Sequence, residues 1–147
     1  DYDDHFIFEV LKFKIEKTAQ FTERRKWFVG WEHEVSRMRM CVKLIQRIQD
    51  DYYGMEYYDY QESDIEFVEL DHKDENGDPF YKLESTTIKD NLDEYIKKYP
   101  NTYKKVLKEF PDRSKNSICL FMGNERHQKA KRLLFKTLDK HIEHWWD

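Results

Sequence analysis

Two histidines three residues apart, His141 and His144, are the first residues in the chain whose types and spacing suggest chemistry. On a helix that spacing puts both imidazoles on one face, with Glu143 between them in sequence, so that both reach a single metal ion. A zinc site needs a third and usually a fourth ligand, and nothing at a recognisable spacing supplies them. The chain has no HExxH, no CxxC and no Glu-x-x-His repeat of the di-iron kind. The segment Trp31-Glu32-His33-Glu34 is a second source of donors if another helix brings it close. The plainer alternative is a solvated or tryptophan-packed histidine pair, so no metal is expected and a metal-dependent hydrolase is kept only as an alternative.

Hydrolysis without a metal requires a nucleophile beside a base, or two carboxylates across a cleft. Sixteen acidic residues fall between positions 49 and 96, so some pair will look catalytic by chance. There is no GxSxG, P-loop or dinucleotide-binding glycine pattern. With four glycines in all, Gly123-Asn124, at the expected start of the last helix, is the one place where backbone N–H groups would meet a phosphate. No catalytic residue and no cofactor is predicted, and binding is the expected mode of action.

For binding, the basic residues near the C-terminus matter most. At 100° per residue, Arg126, Lys129, Lys136 and Lys140 fall within an arc of about 80°, joined by Lys131 and Arg132, while Leu134, Phe135, Leu138, Ile142, Trp145 and Trp146 fill another of about 120°. An exposed, solvating helix face is the plainer reading of the basic arc. Two functional readings stand beside it. In one, the arc and Lys97, Lys98, Lys104, Lys105 and Lys108 meet phosphates of a nucleotide or nucleic acid, with Tyr99, Tyr103 or Trp146 as stacking surfaces, as in sequestering a host signal. In the other, they meet carboxylates of residues 49–96, within the chain or across a dimer.

The second reading draws on the charge distribution. A net charge of −4 over 147 residues conceals balances of +2 for residues 1–48, −13 for 49–96, +9 for 97–140 and −2 for the rest. Five tyrosines interleave with acids between Asp50 and Tyr60, which suggests an interface. An acidic rod that imitates DNA and occupies a host protein is a further alternative, against a merely soluble acidic surface.

The elements that must position these groups follow from periodicity. Residues 6–21 place Phe6, Val10 and Phe13, and Ile7, Leu11 and Ile15, in helical rows, and Gly30 breaks the chain before a second helix of about 22 residues from Trp31. The two predict an antiparallel helical hairpin. Residues 65–70 and 80–84 alternate as strands around a turn at 74–79, a β-hairpin expected to dock on the helices because two strands are marginal alone. Short helices are expected at 90–99 and 101–110, divided at Pro100. Residues 117–123 read as a short helix or buried strand, and Asn124–Trp146 as an amphipathic helix with Asn124 as N-cap.

With 24 aromatic residues to fill a core, the fold expected is mainly α: a helical hairpin plus a C-terminal amphipathic helix, with a small β-hairpin insertion (α+β), in a single domain over residues 1–147. Trp145 is expected in the core and Trp146 at a contact. Cys41 and Cys119 have no CxxC partner and read as buried thiols of a reducing compartment. No apolar run approaches a bilayer span, and Asp1-Tyr2-Asp3-Asp4-His5 lacks the basic start of a signal peptide. A soluble intracellular chain with no membrane partner is predicted.

Three pieces of the chain, Val29-Gly30 with the helix ending Ile48-Gln49-Asp50-Asp51-Tyr52-Tyr53, Tyr99-Pro100-Asn101-Thr102-Tyr103, and Lys129-Ala130-Lys131-Arg132-Leu133-Leu134-Phe135-Lys136 with Trp145-Trp146-Asp147, together resemble small uncharacterised proteins of tailed bacteriophages. The resemblance covers both ends and leaves out residues 54–95. It implies no particular activity. It does imply a virally encoded accessory protein made in the host cytoplasm, and favours binding to a protein partner, self-association as a homo-oligomer, or capture of an anionic ligand over catalysis.

Overall fold

A computed structural model describes residues 4–146. Residues 1–3 of the acidic start and Asp147 of the Trp-Trp-Asp ending lie outside the described residues. The elements are α1 (Asp4–Arg25), α2 (Trp31–Gln49), a single turn α3 (Tyr52–Met55) with a 3-10 turn (Glu56–Asp59), β1 (Gln61–Lys73), β2 (Pro79–Asp90), α4 (Leu92–Lys98), α5 (Pro100–Glu109) and α6 (Lys115–Trp146). The class is the expected one, mainly helical with one antiparallel hairpin. Where length alone predicts one domain, contacts divide the chain into two compact units. The first runs to Met55 and resumes at Phe121, and the second is Glu56–Leu120.

In the first unit α1 and α2 form the antiparallel hairpin. Lys12 Nζ donates to Gln46 and Gln49 at 2.9 and 3.1 Å, while Arg39 meets Glu23 at the other end. The connection needs a left-handed residue, and Gly30 supplies it at φ 85° while its carbonyl accepts the first N–H groups of α2. One row of α1, Phe8, Ile15 and Ala19, packs on Val35, Met38, Cys41, Ile45 and Ile48 of α2 and on Ala130, Leu134, Leu138 and Trp145 of α6. The row Phe6, Val10, Phe13, equally apolar in sequence, lies on the opposite side of α1 and is exposed. Helix α2 is three residues shorter than expected, because Asp51 at φ 47° turns the chain out of the helix after Gln49.

The last helix starts earlier than predicted. Residues 117–123 are continuous with it, so Asn124 is not an N-cap and Gly123-Asn124 sits mid-helix with no free N–H groups for a phosphate. A lone helical glycine costs only about 1 kcal/mol, too little to break a 32-residue helix. Gly123 has a positive use there: a Cβ would come within 2.9 Å of the Tyr53 carbonyl oxygen.

In the second unit the hairpin is longer than predicted, and both faces are open. Every residue of β1 and β2 except Gln61 and Pro79 is exposed, so within this unit no described helix covers the hairpin as expected. The register pairs Phe67 with Leu83 and Ile65 with Ser85 on one face, and Glu66 with Glu84 and Val68 with Lys82 on the other. Alternation gathers Glu66, Glu84 and Lys82 on one face and leaves Ile65, Phe67 and Leu83 together on the other, where they are exposed. The unit's buried residues are Glu56, Tyr57, Leu92, Tyr95, Val106, Ile118 and Cys119.

Candidate functional site

On α6 the basic residues that share an arc in sequence divide by environment. Lys129, Lys136 and Lys140 are exposed, on the side away from the buried row Ala130, Leu134 and Leu138, and none forms an ion pair with a described residue. Arg132 is exposed but bonds Glu125 at 2.9 Å. Arg126 is half-buried, its guanidinium 5.3 Å from the centre of the Tyr53 ring. The open cationic surface is therefore the three lysines, with Arg132 partly neutralised beside them.

Trp145 is buried and its indole N–H donates to Glu34 Oε2 at 2.8 Å. The other Glu34 oxygen pairs with Arg37, and His141 Nδ1 lies 3.7 Å from Oε2. His144 instead lines a cleft of about 410 Å³ with Phe28, His33 and Arg37. Among the described residues no group of three or more His, Cys, Asp or Glu side chains is placed to hold one ion. The segment expected as a second source of donors does lie close, with Glu34 beside His141 and both His33 and Glu34 lining the cleft with His144, but Glu34 is engaged by Trp145 and Arg37.

Trp146 takes a separate position. It is 41% exposed and lines a cleft of about 370 Å³ together with Lys14, Lys17, Phe21 and Trp27. Lys14 Nζ lies 5.1 Å from the centre of the Trp146 ring. None of these partners was singled out in the sequence as part of a site. The signal available was Trp27, a tryptophan in the polar connection between two helices, and it is 59% exposed.

Tyr99 and Tyr103 belong to the second unit. Tyr99 is not an open stacking surface: its hydroxyl donates to both oxygens of Glu56, at 2.8 and 3.1 Å, and its ring meets that of Tyr95 edge-on. Lys98 Nζ donates to the same carboxylate at 2.7 Å. That bond, with help from the Tyr60 hydroxyl, holds the Lys98 ammonium well above the ordinary lysine range. Tyr103 is half-buried. The acidic tyrosine-rich stretch is likewise not an exposed rod, since Tyr53, Glu56 and Tyr57 are buried and only Tyr52 and Tyr58 present large exposed rings. Exposed carboxylates instead run along the hairpin, from Glu62 to Asp71.

No family model matches the chain, and neither a curated protein nor a solved structure shows significant similarity to it. Among the described residues no helix is long and apolar enough to cross a membrane.

Proposed function

We propose that this protein acts by binding rather than by catalysis, engaging an anionic partner through the outward face of α6. The observation that carries the reading is the set of Lys129, Lys136 and Lys140, exposed and without an ion pair to any described residue. Unpaired like charges on one face repel one another in the free protein, and a polyanion relieves that repulsion while releasing its own counterions. The resemblance of the chain's ends to small phage proteins supports a setting in the host cytoplasm, where nucleic acids and acidic protein surfaces are the available polyanions.

The test is binding to fluorescent single-stranded and duplex oligonucleotides and to an acidic peptide at two salt concentrations. Affinity is expected to fall with salt and to drop by at least about tenfold in the double variant Lys136→Glu, Lys140→Glu. Equal binding by the variant would remove the reading.

A second observation favours self-association as part of the same function. Phe6, Ile7, Val10 and Phe13 are each at least half exposed on the first turns of α1, opposite its core row. A second copy in antiparallel orientation fits such a row by symmetry, Val10 facing Val10 and Phe6 facing Phe13 of the other copy.

A further inference from the structure

We infer that the cleft lined by Trp27 and Trp146 is a binding site for a nucleobase that carries phosphate. The site lies wholly within the first unit and uses none of the α6 lysines, so it stands apart from the polyanion reading. Its volume of about 370 Å³ falls among small-ligand sites, which span roughly 300–1,000 Å³. Phe21, Trp27, Trp145 and Trp146 supply flat apolar walls, and Lys14 and Lys17 supply its charge; no described carboxylate lines it.

Each part of that lining narrows the ligand. Two lysines without an acid favour an anion over a neutral ring. Aromatic walls favour a planar ring over an isolated phosphate, since stacking on an aromatic side chain contributes about 1–3 kcal/mol per base. Trp145 forms a fixed wall, because its only donor is already given to Glu34. Lys14 Nζ sits over one face of the Trp146 ring, 5.1 Å from its centre, so the cation that would meet phosphate is held against the same aromatic wall whose exposed area a base would cover. Phe21 meets Trp27 edge-on at 6.2 Å and steadies that wall. Trp27 and Trp146 remain 59% and 41% exposed, an aromatic area left to water that a stacked base would cover.

The same chemistry is offered by free nucleotides and by the end of a single-stranded nucleic acid. The test is tryptophan fluorescence of the full chain, excited at the red edge, titrated separately with ATP, GTP, CTP and UTP, with adenosine, with inorganic tripolyphosphate, and with a short single-stranded oligonucleotide. At least one triphosphate or the oligonucleotide is expected to quench saturably, more tightly than adenosine or tripolyphosphate. A lower Kd for the triphosphate marks free nucleotides as the source, and a lower Kd for the oligonucleotide marks nucleic-acid ends. Trp146→Ala, and Lys14→Glu with Lys17→Glu, are each expected to weaken binding by at least about tenfold with unchanged helical circular dichroism. Lys136→Glu with Lys140→Glu removes the α6 charge and is read only on the triphosphate arm, where quenching still lost on Trp146→Ala in that background marks the cleft as the site. Absence of saturable quenching overturns the inference. So does quenching that survives both cleft variants, or tripolyphosphate binding as tight as the best nucleotide.

Discussion

Glu34 and Glu56 each use both carboxylate oxygens on neighbours brought from elsewhere in the chain. Glu34 joins Arg37 on its own helix to Trp145 of α6, and Glu56 joins Lys98 and Tyr99. A buried carboxylate is tolerated only with such partners, since an unsatisfied polar group costs about 1–3 kcal/mol. Neither residue stands out among the many acids of the sequence, because what distinguishes it is its surroundings. The cysteines are the opposite case, since their isolation in sequence already reads as burial. Cys41 and Cys119 are fully buried free thiols, and burial pushes each up to about 11. The thiolate is the reactive form. At pH 8 neither thiol should therefore react with a disulfide reagent in the native protein over the time in which the urea-unfolded chain reacts fully; rapid native labelling would contradict the burial.

At the scale of elements, α6 and the β-hairpin show how local signals can mislead about boundaries. Gly123 followed by Asn124 has the appearance of a helix start, yet the glycine is there so that α6 and α3 can approach closely. Gly123→Ala sets about 1 kcal/mol of gained helix propensity against a Cβ 2.9 Å from backbone oxygen, an overpacking that costs about 1–3 kcal/mol. The net expectation is a loss of stability of about 1 kcal/mol, read from urea unfolding, whereas a typical exposed helical glycine would give a gain. The hairpin is held at its turn by Asp74, whose carboxylate accepts the N–H groups of Asn76 and Asp78 at 2.9 Å each. These bonds, chiefly that of Asp78, lower the Asp74 pKa. A depressed folded-state pKa means that the contribution is fully present above the ordinary Asp range and is lost as pH falls through the lowered value. Amide shifts of Asn76 and Asp78 should therefore hold from neutral pH through the ordinary range and move only below it. Movement centred within that range would show that the turn does not hold the carboxylate.

For the whole molecule, the proposed second copy on α1 predicts a dimer in sedimentation velocity that Val10→Glu converts to monomer, with unchanged circular dichroism; a monomeric wild type would exclude it. The sequence by itself determined the helical class, the hairpin of α1 and α2, the burial of both cysteines, the two-faced last helix and the separate fates of Trp145 and Trp146. Each of these is written in spacing along one element, where 3.6-residue periodicity and side-chain type suffice. It also drew the basic arc, but not which members are free. Only tertiary structure decided that Arg126 lies over Tyr53, whereas Arg132 reaches Glu125 two turns back along α6 itself, and three lysines stay open. Only tertiary structure decided which side of α1 is buried: Phe8, Ile15 and Ala19 meet α2 and α6, Leu11 is partly covered, and Ile7 of the same expected row is exposed like Phe6, Val10 and Phe13. The cleft of Lys14, Lys17, Trp27 and Trp146 belongs to the same class of fact. Its residues are separated by more than a hundred positions, and no local periodicity records a proximity that arises only when the chain's two ends pack together.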